Sequence, residues 1–247
     1  MQSHAEGVLS RETTPQTGEE WSQFPDIKVI RPFTARRTQA DRARRMLNVV
    51  VAAAALLLVL PLMFIVALAV RLTSPGPILY TQLRVGIDRR KNDGGNWRRR
   101  VDYGGRLFRI YKFRTMYVDD GRAQVWARPD DPRVTPIGRF LRKYRLDELP
   151  QLVNVLRGDM NIVGPRPEQP TIFMSLRETI DMYPRRQRVL PGITGLAQVS
   201  QPYDRDIDDV RRKVHYDLEY ASRVSAMEDL KIMCRTLPVV FTGKGAW

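Results

Sequence analysis

The stretch MLNVVVAAAALLLVLPLMFIVALAV, residues 46–70, decides how the rest of the chain is read. It runs for about 25 residues without a charge, long enough for a transmembrane helix. Pro61 stands inside it, and a proline within a helix removes a backbone hydrogen bond and clashes with a preceding carbonyl. The arms on either side are about 15 and 9 residues. At 1.5 Å per residue they reach roughly 22 and 14 Å, each short of a ~30 Å hydrocarbon core. Arg42, Arg44 and Arg45 precede the run, and Arg71 and Arg84 follow it. Positive charge on both flanks favours placing both on the cytoplasmic side. A kinked helix that spans and a re-entrant hairpin that leaves by the leaflet it entered both fit. A core helix of a soluble protein fits poorly.

Working outward, residues 1–40 are polar and aperiodic and read as a flexible arm. No apolar segment with a cleavage site follows the start, so this is not a signal peptide. Across 247 residues, 41 Lys and Arg stand against 27 Asp and Glu, a formal charge of +14. Such a surplus calls for an anionic partner: nucleic acid, lipid headgroups or phosphorylated substrates. No helix-turn-helix, RRM or zinc pattern supports nucleic acid, which would also leave the apolar run unexplained. The single cysteine, Cys234, excludes an internal disulfide and reads as a small buried hydrophobe on a C-terminal helix. With only His4 and His215 available, acid/base chemistry falls to carboxylates.

Beyond the apolar run, Thr73-Ser74-Pro75-Gly76-Pro77 is a rigid turn, and residues 78–85 read as a strand. The segment 84–114 is dense in arginine, and its loop 88–105 suits anionic headgroups. Residues 107–116 read as a second strand. Ile137, Phe140, Leu141 and Tyr144 give helical spacing over 135–144. A second helix is expected from near Asp147 to Gly158, and loops over 161–170 and 190–202. Two further helices follow at 207–222 and 226–241, the latter opened by the Ser225/Glu228 capping box. Its apolar Leu230, Met233, Leu237, Val240 and Phe241 either bury or lie on a membrane surface. The expected fold is α+β and mostly helical: a membrane-associated cytoplasmic catalytic domain with one broken (re-entrant) N-terminal hydrophobic helix. It divides into the arm (1–40), the anchoring helix (41–72), a catalytic core (73–205) and C-terminal helices (206–247).

The densest chemistry lies in RKYRLDELPQL, residues 142–152, and RGDMNIVGPRPE, residues 157–168. Asp147 and Glu148 fall where a helix begins, because Pro150 is tolerated only in a first turn. A helix N-terminus stabilises an ionised carboxylate and also attracts phosphate. An ionised Asp can attack phosphorus to give an acyl-phosphate, provided cations neutralise the incoming charge. Arg142, Lys143 and Arg145 stand just upstream for that purpose. Such a site would also hold Mg²⁺ through carboxylate and phosphate oxygens. For an isolated Asp-Glu pair the commoner outcome is a simple helix cap.

Several motifs in order change that balance. YKFRTM (111–116), LDELPQL (146–152), GDM (158–160), VGPRPE (163–168) and LPGITG (190–195) resemble the signature set of the bacterial sugar transferase family. These are monotopic polyprenyl-phosphate phosphoglycosyl transferases that begin exopolysaccharide and related glycan assembly. LTSPGP (72–77), Gln82-x-Arg84-Val85-Gly86, His215-Tyr216-Asp217, DLKI (229–232) and GKGAW (243–247) extend the resemblance over roughly residues 42–247. It implies that Asp147 attacks the β-phosphate of a UDP-sugar, expelling UMP. A polyprenyl phosphate, undecaprenyl phosphate in bacteria, then takes the sugar phosphate from the carboxylate. It implies further that Glu148 assists with metal or proton handling, that Asp147 and Glu148 hold Mg²⁺, and that Lys112, Arg114 and Arg166, with Arg145 nearby, clamp phosphate. The implied location is the bacterial inner (cytoplasmic) membrane, with the catalytic domain on the cytoplasmic face and a homodimer possible. Two departures stand out. Leu60 precedes Pro61 where relatives often carry Ser, and only the polar arm precedes the hydrophobic segment, as expected of a short form.

Overall fold

A computed structural model describes residues 39–89, 103–118, 131–201 and 206–242. Nearly all of the expected arm, most of the loop 88–105 and the residues 243–247 lie outside the described residues. The apolar run forms one helix, α1 (Gln39–Thr73), which continues through Pro61. The break expected at the proline is therefore not a gap in the helix. Bending accommodates a lost hydrogen bond without unwinding.

Both ends of α1 are attached to the same body. Near the start, the buried Arg44 donates from Nε to Asp229 Oδ2 at 2.7 Å, and Ala52 packs with Phe108, Leu152 and Val155. Near the end, Val66 and Val70 pack with Phe113 and Leu141, and the buried Ser74 receives a hydrogen bond from Arg114. Between them one side of the helix still meets the body, through the half-buried Ala55, Leu56, Val59, Met63 and Ala67. Leu57, Leu58, Leu60, Phe64 and Ile65 are all exposed, and at 100° per residue they share one face of the helix, about 160° wide. This helix is long and apolar enough to cross a membrane.

Strands β1 (Leu79–Val85) and β2 (Leu107–Phe113) pair antiparallel, with Leu79 opposite Phe113 and Val85 opposite Leu107. Alternation places Phe108, Ile110 and Lys112 on one face of β2. Thr135 caps α2 (Pro136–Lys143), its Oγ1 accepting from the amide of Gly138 at 2.9 Å. A 3₁₀ turn over Leu146–Glu148 precedes α3 (Gln151–Arg157), which ends on Gly158 at φ 86°. The helix expected from Asp147 is thus split. Asp147 and Glu148 sit in the tight turn and not in the first turn of the α-helix.

Where loops are expected, two short parallel strands appear: β3 (Asn161–Val163) and β4 (Gly192–Thr194). Their flanking loops touch so closely that a Cβ on Gly192 would lie 2.1 Å from the amide of Gly164. Helix α4 (Pro170–Thr179), a 3₁₀ segment over Tyr183–Arg188 and the short α5 (Leu196–Ser200) complete the middle. The C-terminal pair is α6 (Ile207–Ser222) and α7 (Ala226–Thr242). One cluster joins Val85, Phe173, Leu176, Val210 and Val214; another joins Val163, Leu196, Tyr220 and Ile232. Each fully buried aliphatic or Phe side chain there contributes about 1.5–3 kcal/mol.

Helix α7 turns inward on Asp229 and Ile232, leaving Leu230 and Leu237 exposed. Cys234 is exposed as well, against expectation. Two positions beyond Ile232 is 200° around the helix, almost the opposite face.

Candidate active site

Three pieces of chain meet around the 3₁₀ turn Leu146–Glu148. The turn begins at Arg145, the one non-glycine residue with positive φ (54°) among those described. A left-handed arginine is strained. Here it reverses the chain after α2 so that Asp147 and Glu148 both turn into the body, 7 % and 5 % exposed.

The second piece is β2. Asn154 of α3 donates from Nδ2 to the Arg109 carbonyl at 2.7 Å, and its Oδ1 accepts from the Tyr111 amide at 3.1 Å. One side chain thereby closes the free edge of β2 and fixes its distance from α3. The next inward residue on that row is Lys112. Its Nζ lies 2.7 Å from Glu148 Oε1 and 3.9 Å from Asp147 Oδ2.

The third piece is the loop after β3, which brings Arg166. Its Nη2 lies 2.5 Å from Glu148 Oε1, and its Nη1 donates to Oε2 at 3.3 Å. The loop is held from behind by Arg186, fully buried, which donates to the Arg166 carbonyl at 3.0 Å and pairs with Asp217 at 2.6 Å. Lys213 pairs with Glu168 at 2.8 Å in the same loop. Burial alone would raise Glu168, but Lys213 and Arg186 bring it down to about 2.

The two adjacent carboxylates are unlike. Burial works against ionised Glu148, yet Arg166, Lys112 and Arg145 outweigh it and hold the carboxyl well below the usual Glu range. Among the described residues the Asp147 carboxylate has no hydrogen-bond partner, and Lys112 stands 3.9 Å from it as a counter-charge. Burial pushes its carboxyl above the usual Asp range, against the pull of Lys112, and the charge of Glu148 adds to the rise. Burial also lowers Lys112, against the opposing pull of Glu148. The result is a fixed anion, Glu148, holding two cations beside a second carboxylate that is under-satisfied. Such a carboxylate is suited to attack phosphorus.

Of the expected residues, Asp147, Glu148, Lys112 and Arg166 converge. Arg145 joins at 3.9 Å from Glu148 Oε2. Arg114 does not join. Its guanidinium donates to the Ser74 carbonyl and hydroxyl, both at 2.7 Å, and to the Pro75 carbonyl. It secures the turn after α1 and leaves little of its donor fork for phosphate. Arg84 of β1, read from sequence as a flanking charge and a motif position but not as a site residue, donates to the Pro167 carbonyl at 3.1 Å and lies within electrostatic reach of Glu168, Arg166 and Glu148.

No group of three or more His, Cys, Asp or Glu converges among the described residues. The under-satisfied Asp147 offers hard oxygen donors, while Glu148 is committed to Lys112 and Arg166. That set fits Mg²⁺ in the manner in which one or two carboxylates share the ion with substrate phosphates.

Residues 39–243 match the family described as Bacterial sugar transferase. The chain is 40% identical over 204 residues to a UDP-N-acetylgalactosamine-undecaprenyl-phosphate N-acetylgalactosaminephosphotransferase of Aeromonas hydrophila, covering 82% of this chain and 44% of that protein. It is 39% identical over 214 residues to a UDP-glucose:undecaprenyl-phosphate glucose-1-phosphate transferase of Caulobacter vibrioides, covering 85% and 74%. A protein of the same description from Escherichia coli is 38% identical over 207 residues, covering 83% and 41%. The chain thus spans less than half the length of the Aeromonas and Escherichia relatives.

Proposed function

From the premise that this chain belongs to the bacterial sugar transferase family, we propose that it moves a sugar 1-phosphate from a UDP-sugar to a polyprenyl phosphate such as undecaprenyl phosphate, in two steps through Asp147. The observation that carries the reading is the asymmetry of the pair: Asp147 without a hydrogen bond, beside Glu148 saturated by Lys112 and Arg166.

In the first step an Asp147 carboxylate oxygen bonds to the β-phosphorus while the bond from that phosphorus to the bridging oxygen breaks. UMP leaves with the electron pair, and the sugar phosphate stays on the carboxylate. In the second step an oxygen of the polyprenyl phosphate attacks the same phosphorus, restoring Asp147 and yielding a polyprenyl diphosphate sugar. Lys112 and Arg166 offset the charge of the phosphates. Glu148 holds both cations in place. Mg²⁺, held by Asp147 together with substrate phosphates, would supply further neutralisation, while Glu148 stays with Lys112 and Arg166. The relatives' names include both glucose and N-acetylgalactosamine donors, so the sugar itself stays undesignated.

The same reading places the protein at the bacterial inner membrane with its catalytic body on the cytoplasmic face. Two ends of α1 bound to one body support both flanks lying on one side of the bilayer, with the exposed face of the helix turned into the leaflet as a re-entrant wedge. The outward Met227, Leu230 and Leu237 of α7 offer a further apolar surface to the bilayer or to a second copy in a homodimer.

The test is a half-reaction. Purified protein given Mg²⁺ and UDP-sugars labelled in the sugar, without lipid, releases UMP and retains label on Asp147. Kinetics with lipid are ping-pong. A strictly ternary pattern with no adduct would overturn the covalent route in favour of direct transfer.

A further inference from the structure

We infer that the lipid acceptor inserts the isoprenoid units nearest its phosphate into a pocket shared by the membrane helix and the active site, an assignment that rests on the reading of the function given above. The pocket has a volume of about 240 Å³. Its walls are Ala55 and Val59 of α1, Leu152 of α3, Ile193 of β4, Val199 of α5 and Val239 of α7. At the ~30 Å³ occupied by one water-sized group, that volume takes about eight carbon-sized groups, or one to two isoprenoid units.

Three features select this occupant. First, away from the end at Arg145 and Glu148 the walls are mostly apolar, with Thr194, Gln198 and Thr236 among them, and a uridine or sugar placed there would leave most of its polar atoms without partners. Second, Val59 is the next residue after the exposed Leu57 and Leu58, so the pocket adjoins the exposed face of α1. A chain lying in the leaflet beside that segment can pass into the pocket without crossing water. Third, Arg145 and Glu148 line the pocket as well as belonging to the charged cluster. An apolar chain in the pocket therefore delivers an anionic head toward Arg145, Lys112 and Arg166, and close to Asp147. Chain length and charge are matched at opposite ends of one cavity, as a polyprenyl phosphate requires.

The experiment uses the full chain in nanodiscs and a polyprenyl phosphate carrying a diazirine in its first two isoprenoid units. Irradiation is expected to crosslink residues around Val59 and Val239, and unlabelled polyprenyl phosphate to suppress the crosslink. Val239→Trp and Val59→Phe, which narrow the pocket from two sides, are expected to raise KM for the lipid at least tenfold. KM for the UDP-sugar and lipid-independent labelling of Asp147 report that the fold and the first step persist. Crosslinks mapping elsewhere, or lipid KM unchanged in both variants, overturn the assignment. So does equal crosslinking by a diazirine phospholipid that polyprenyl phosphate cannot displace, since the pocket would then hold a bilayer acyl chain. If wild-type protein released UMP from no UDP-sugar, the proposed reaction would fail, while the crosslinking result would still decide the pocket.

Discussion

Two of the buried groups of charge among the described residues are built on opposite plans. Around Arg44, one cation meets one carboxylate. Asp229 takes Arg44 Nε at 2.7 Å, Asn48 Nδ2 at 3.2 Å and the Tyr220 hydroxyl at 2.6 Å. Asn48 completes the set by accepting the Ile162 amide at 2.7 Å. Around Glu148, three cations (Lys112, Arg145, Arg166) face two carboxylates, and the Asp147 carboxylate is left without a hydrogen bond. The first cluster is balanced and holds the membrane helix to the body. The second carries surplus positive charge and a carboxylate raised by burial, both of which a diphosphate with a reactive phosphorus would use. Balance marks the fastening and imbalance marks the chemistry.

The sharpest way to break this contrast is to remove one charge from each cluster. Asp147→Asn is expected to cut UMP release at least ~10⁴-fold, about 5.5 kcal/mol in barrier, because an amide cannot serve as the nucleophile. Retention of a tenth of wild-type turnover would sink the assignment. Stability should not fall with it. A carboxyl whose pKa is raised by folding is destabilising when ionised, so at neutral pH the Asn variant should melt at the same temperature or higher.

Arg44→Met should do the reverse. It strands Asp229, fully buried, and should cost about 3–5 kcal/mol of stability with little change in turnover per folded molecule. Adding Asp229→Leu should recover part of the loss. The same variant sharpens the membrane reading when Gln39→Cys and Thr73→Cys are introduced singly in a Cys234→Ser background. In otherwise wild-type protein, neither site should react with a membrane-impermeant thiol reagent until cells are permeabilised. Releasing Arg44 should let some molecules expose position 39 outside. Outside labelling of position 39 with Arg44 intact would mean that α1 spans.

The smallest effect is on pH. Attack needs ionised Asp147 and phosphate binding needs charged Lys112. The acid limb of the first half-reaction should therefore sit above the usual Asp range and the alkaline limb below the usual Lys range. Lys112→Arg should move only the alkaline limb, upward. Glu148 behaves oppositely in stability: its contribution is present above the ordinary Glu range and is lost as pH falls toward its depressed value. An acid limb at an ordinary Asp position would remove the case for a burial-raised nucleophile.

Much of the balanced cluster was invisible in the sequence. Arg44 reads as one more positive flank of an apolar helix, yet its partner lies 185 residues away, a pairing no local pattern reveals. The active cluster was more legible, because Asp147 and Glu148 are adjacent and stand before Pro150 among basic residues. Even there Pro150 misled. It starts a new helix after the 3₁₀ turn, so the carboxylates draw nothing from a long helix dipole. Arg114 shares a motif with Lys112 but follows the end of β2, where the turn at Ser74 and Pro75 claims it. Helix α4 escaped notice although Pro170 occupies its first turn, since its stretch between two loop signals carries mixed polarity.

The attachment of α1 at both ends has a consequence for motion. A domain hung from one helical end can swivel about its linker and present any face to the bilayer. Fastened through Arg44 at one end and Ser74 at the other, this body cannot rotate independently of the helix. On the proposed function, its tilt and height above the leaflet would be set together. A lipid drifting in the plane of the membrane would then meet the same edge of the protein at every encounter, and its search would become a two-dimensional one with a fixed doorway.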